Sequence, residues 1–198
     1  MDNQLIIIVF IFIIISIPAF MTILWIQIFD VFVHESGHAL VASMYDNSQK
    51  ICVYMIKDKK KKCFIFKGAN ITYYINNITI KCGGTTEFEN INAYSKKQVR
   101  IIGGAGILFG ICVCAVYHIG VSSVIYHLIM HSGFYFWLYT LVGIVTYIVV
   151  MLYNFIIGLR RYKEDYRNWQ NDAVAVFYPE IFRKQYSKQK RKQEIDKC

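Results

Sequence analysis

Residues 30–44, DVFVHESGHALVASM, contain no proline and space their apolar side chains three and four apart, which predicts an α-helix. Positions four apart stand one above the other on a helix, so His34 and His38 project from a single face. Two imidazoles placed that way supply two corners of a tetrahedral ion site. Glu35, roughly a third of a turn round, reaches the space beside them without taking a corner itself.

This is the H-E-x-x-H arrangement, in which two histidines hold zinc and the glutamate acts as general base on a zinc-bound water. The competing reading places the three residues on the wet face of an ordinary helix. The surrounding sequence opposes it. No charged residue occurs from Leu5 to Phe29, and the first Lys or Arg is Lys50. Asp30, His34, Glu35 and His38 therefore sit in or at the end of a membrane-grade segment. Titratable groups are costly there unless they face a cavity, a partner or a metal.

More than half of the 198 residues are hydrophobic (56%), and with long uncharged runs that composition points to an integral membrane protein. A net charge of +9 raises nucleic acid as a partner, but the distribution of charge argues against it. Every Lys and Arg falls in one of two blocks, Lys50–Arg100 and Arg160–Lys197. Two basic blocks flanking an apolar stretch follow the positive-inside rule and place both blocks in the cytosol. The tail from Gln185 to Lys197 reads as solvated, with anionic lipid headgroups as the alternative contact. Cys52, Cys63 and Cys82 lie in the block assigned to the reducing cytosol, so no disulfide framework is expected.

The chain divides into four segments: 1–49 with the HESGH helix, 50–100 as a small β region, 101–159 as membrane helices, and 160–198 as a basic tail. Residues 5–45 are too long for one span of about 20 residues. Pro18 is the natural break. Either a first helix turns back into the second, or one long kinked element crosses once. Residues 50–85 hold short β-branched and aromatic runs (KICVYMIK, KKCFIFK, ITYYIN, ITIKC) between turn-like sequences, which predicts a small antiparallel sheet. CGGTTEF, 82–88, reads as a glycine-marked loop. IIGGAGILFGICVCAVYHIG (101–120) and the run 131–158 are further membrane helices, the first with Gly106 and Gly110 forming a close-packing face. The fold class is thus a helical membrane protein of three to four spans with a small antiparallel β subdomain.

Two histidines need at least one more protein ligand. The polar segment after Leu159 offers Asp165 and Asp172. A rival pair, His127 and His131, is also four apart but lacks the adjacent glutamate, so it reads as structural or interfacial. Asp30, one turn before His34, reads either as an acceptor orienting that ring or as helix-end polarity.

HESGHAL, followed by a small β segment, then GGTTEF and RIIGGAGILFG, resembles the site-2 protease family of intramembrane zinc metallopeptidases. YNFIIGL, with NDA further on, looks like that family's Asn-Leu-x-Pro … Asp-Gly segment. The resemblance spans most of residues 20–175. It implies Zn2+ held by His34, His38 and Asp172, with Glu35 as base. It also implies substrate contacts from Asn154 and from the Gly83–Gly84 loop. The chain departs from the family pattern in having no proline after Asn154, Ala173 in place of glycine, and a longer gap to Asp172. The implied activity is cleavage of a transmembrane protein substrate in or beside the lipid. An edge of the β region, or the GGTTEF loop, would hold the unwound chain. The rival is a non-catalytic membrane protein of the same fold that binds transmembrane partners.

Overall fold

The computed structural model describes residues 3–55, 64–75, 84–127, 133–166 and 170–195. The apolar opening run forms helix α1 (Asn3–Trp25), which passes through Pro18 instead of breaking there. The Thr22 hydroxyl donates to the Pro18 carbonyl at 2.8 Å. The irregularity lies further on, where Ile26–Asp30 widens into a π turn that joins helix α2 (Val31–Tyr45) with helical dihedrals on both sides. Of the two expected arrangements the chain adopts the continuous one, interrupted at Asp30 and not at Pro18. An extra residue in one turn rotates everything beyond it by roughly 100°, so α2 can aim its histidines independently of the face α1 presents.

The β region is a sheet of four strands: β1 (Ile51–Met55), β2 (Phe64–Lys67), β3 (Ile71–Ile75) and β4 (Thr85–Phe88), in the order β2-β3-β1-β4. It is mixed, which corrects the antiparallel expectation: β1 and β3 run parallel in register from Ile51 opposite Ile71, while β2 and β4 run antiparallel to their neighbours. Burial accounts for the order. β1 buries alternate residues Ile51, Val53 and Met55 and takes the interior, whereas β2 is exposed throughout and is left at an edge. Tyr54 and Tyr74 stack across the parallel pair, with centroids 4.7 Å apart. GGTTEF, expected as a loop, supplies strand β4 from Thr85 onward. The expected ITIKC run lies outside the described residues.

Ser95 caps helix α3 (Lys96–Ile125) with a capping box closed by Gln98. Helix α4 (Gly133–Glu164) follows, then the short α5 (Asp172–Phe177) and the basic α6 (Pro179–Ile195). Among the described residues two helices, α3 and α4, are long and apolar enough to cross a membrane, not the three to four expected. α4 turns an outward stripe of Trp137, Leu141, Val145, Val149 and Ile156 to its surroundings and buries Tyr139, Thr140, Tyr147 and Met151 inside. Apolar groups outside and polar groups inside suit a lipid surround better than water.

One core joins Ala39 and Ala42 of α2 to Ile51 and Val53 of β1, Phe88 of β4, Val99 and Ile102 of α3, and Ala175 of α5. The β region is therefore packed into the helices and is not a separate body. Helices α2 and α3 lie very close. A Cβ added to Gly37 would fall 2.7 Å from the Phe109 Cβ and 2.8 Å from the Ala105 carbonyl oxygen.

Candidate metal centre

The helix predicted around His34 and His38 forms, and both rings turn toward α3. His38 is fixed first. Its Nδ1 lies 2.6 Å from the Ile102 carbonyl oxygen, which can only accept, so Nδ1 carries the proton and donates. The other nitrogen, Nε2, is thereby the one whose lone pair would face a bound metal. It lies 3.2 Å from His34 Nε2.

Asp172 comes to the same point from the far end of the chain. Beyond α4 the chain folds back, and the apolar Ala173, Val174 and Ala175 of α5 bury against α3. A Cβ on Gly103 would sit 2.7 Å from the Ala175 Cβ, so this approach needs a residue without a side chain on α3. Asn171 caps α5 by accepting from the Val174 amide at 3.0 Å, and its own amide donates to the Gly158 carbonyl at 3.4 Å. Asp172 at the first turn then places Oδ2 2.7 Å from His34 Nε2 and Oδ1 3.2 Å from His38 Nε2. Burial by itself would raise this carboxyl, but the two imidazoles outweigh it and hold Asp172 well below the usual carboxylate range.

The ligand atoms of His34, His38 and Asp172 all lie within 4.8 Å of one another, and the group can hold a metal ion. Its dimensions can be tested. Ligands bound tetrahedrally at 2.0–2.1 Å stand about 3.3 Å apart, and the Nε2 atoms of His34 and His38 are 3.2 Å apart. The space for the rings is supplied by Gly106, where a Cβ would come within 2.6 Å of His38 Nε2 and 2.9 Å of His34 Cε1. The expected Gly106/Gly110 face is therefore more than a helix contact. Gly106 makes room for the imidazoles, and Gly110 makes room for the Tyr147 hydroxyl.

Glu35 stands beside the cluster and does not belong to it. Its Oε2 accepts from the Thr86 hydroxyl on β4 at 2.7 Å. Gly84 allows the close approach of that strand, because a Cβ there would fall 2.4 Å from the Glu35 Cγ. Two cavities flank Glu35. One, of about 230 Å³, is bounded by His34 and by Ile107, Met151, Asn154 and Phe155 of the apolar helices. The other, of about 170 Å³, lies toward β4 and is bounded by Thr86, Phe88, Ile102, Phe182 and Tyr186. Both reach Glu35 and Asp172.

Of the residues singled out in the sequence, His34, Glu35, His38, Asp172 and Gly84 are brought together, and Asn154 lines the first cavity 
. Asp165 is not in the cluster; it ends α4, its amide closing onto the Arg161 carbonyl. Gly83 and His131 lie outside the described residues. His127 is exposed, against the edge of Tyr126. Asp30 is buried and accepts from the Tyr147 hydroxyl at 2.5 Å, so it ties the π turn to α4. Sequence reasoning missed Thr86, although the alternation in TTEF puts Thr86 and Phe88 on one face. It also missed the Ile102 carbonyl, which no side-chain pattern could reveal. No protein-family model, curated protein or solved structure matches the chain.

Proposed function

We propose that this chain is an intramembrane zinc metalloendopeptidase that cleaves peptide bonds in or next to a transmembrane segment of membrane protein substrates. The observation that carries the reading is the convergence of His34, His38 and Asp172 beside a carboxylate, Glu35, that is held by Thr86 and not by the cluster. Two imidazoles and one carboxylate are the ligand chemistry of a hydrolytic zinc site with an open position. Zinc bound there would acidify water and polarise a carbonyl. Glu35 takes the proton of the attacking water and delivers it to the leaving amine. Thr86 keeps one carboxylate oxygen occupied, which leaves the other to take the proton. Asn154, on the wall of the larger cavity, is placed to hydrogen-bond a substrate main chain.

The chain is read as a multi-pass membrane protein in which α1–α2 forms a further membrane element beside α3 and α4. Its basic loops and C-terminus face the cytosol. Substrate arrives through lipid, on the α4 side, where apolar residues are exposed in a row.

The test is Glu35→Gln, purified in detergent, assayed on a transmembrane substrate, with bound zinc measured on the same sample. Retained zinc and a loss of cleavage by about 10²–10⁴-fold is the expected result. Undiminished cleavage would remove Glu35 as the base.

A further inference from the structure

Among the described residues strand β4 lies at the edge of the sheet, and its outer edge is not open along its whole length. Phe88 lies opposite Ile51, and the Glu89 amide donates to the Lys50 carbonyl at 3.0 Å. By strand alternation, Glu87 turns its main-chain groups and Glu89 its amide to β1, while Thr86 and Phe88 turn theirs to the outer edge. At Phe88 those groups are occupied by α6. The Phe88 amide donates to the Tyr186 hydroxyl oxygen at 2.6 Å, and that hydroxyl donates to the Phe88 carbonyl at 3.2 Å. The Lys190 ammonium donates to the same carbonyl at 3.0 Å and also to the Glu89 carbonyl. Side chains of a helix thus fill the donor and acceptor positions that a neighbouring strand would fill.

The same helix walls the 170 Å³ cavity. Phe182 and Tyr186 stand on one side, Phe88 and Ile102 on the other, and Glu35 and Asp172 at its end. An apolar recess that borders a strand edge and ends at a candidate metal centre suits an extended peptide bearing an apolar side chain. Burial pushes the Tyr186 phenol up, so it remains a donor to Phe88 throughout the neutral range.

We propose that α6 is a resident plug: Tyr186 and Lys190 occupy the place on the β4 edge that an extended peptide takes, and an incoming segment with an apolar side chain displaces them. The proposal rests on the peptidase reading for the fate of that peptide, but not for its binding. A helix that merely shields an aggregation-prone edge would be bound to β4 by the same contacts. The two differ in what happens when the contacts are weakened.

The experiment uses the full chain carrying Glu35→Gln, so that nothing is turned over, and a fluorescently labelled peptide of alternating Thr and Val with one central Phe. Adding Tyr186→Phe, which keeps the ring and removes the hydroxyl, together with Lys190→Met should tighten peptide binding by about five-fold, the worth of one net hydrogen bond. Unchanged or weaker binding overturns the proposal. A second measurement leaves α6 as it is: saturating peptide should speed amide hydrogen exchange in residues 179–190. Exchange that is unchanged or slowed also overturns it. If the peptide binds in this way but the chain carrying Glu35 cleaves no substrate, the peptidase reading fails and the plug stands.

Discussion

The two cavities beside Glu35 are built from different materials. The larger is walled by α3 and α4 through Ile107, Met151 and Phe155, side chains on long helices held together by buried small and polar groups. The smaller is walled by a four-residue edge strand and by the basic helix α6, which hydrogen-bonds that strand. A wall of packed helices changes shape reluctantly. On the proposal made above, the helix that rides on this edge through Tyr186 and Lys190 is displaced from it. On the proposed reading, the lipid-side wall is fixed by the fold and the sheet-side wall is adjustable, and Glu35 borders both cavities.

That contrast can be broken at its shared wall first. Gly84→Ala puts a Cβ where the Glu35 Cγ now lies and must move the carboxylate. A displacement of this kind costs about 10²-fold in kcat, and bound metal should stay constant. A variant with full turnover would show that Gly84 does not set the position of Glu35. Gly106→Ala acts on the other partner in the site. Its Cβ would press on His38, which Ile102 holds in place, so metal affinity should fall by about 10–100-fold, as read by competition with a chelator. Thr86→Val keeps the shape of the sheet-side wall and removes one hydrogen bond to Glu35. It should lower kcat by about ten-fold, the share of a charge-assisted hydrogen bond, and leave KM unchanged. Asn154→Ala touches only the lipid-side wall, so it should raise KM by about five-fold and leave metal content alone. If instead Thr86→Val altered KM and Asn154→Ala altered kcat, the roles assigned to the two sides would be reversed.

The sequence carried the metal cluster further than it carried the sheet. His34, Glu35 and His38 were legible because one helix fixes their relations, and helical spacing is written in the chain itself. Asp172 was narrowed to two candidates by residue type and chosen by resemblance. Its approach depends on Gly103 admitting Ala175, a contact between residues 72 positions apart. The strands were located but not ordered. β1 and β3 pair in parallel, which short alternating runs do not reveal. Strand β4 was hidden behind its glycines, and Thr86 with it. Pro18 misled for a physical reason: a proline costs a helix one hydrogen bond, and in an apolar surround the helix is kept, because the alternative exposes several more backbone groups.

The peptidase reading depends on the cluster holding an ion. The direct measurement is metal content by elemental analysis of the protein purified gently in detergent, for wild type, His38→Ala, Asp172→Ala and Asp165→Ala. Zinc at one ion per chain in wild type and Asp165→Ala, and its loss in the other two, is the predicted result. A wild-type protein that carries no ion and cannot be loaded with one, or an Asp172→Ala variant that binds zinc as tightly as wild type, would contradict it.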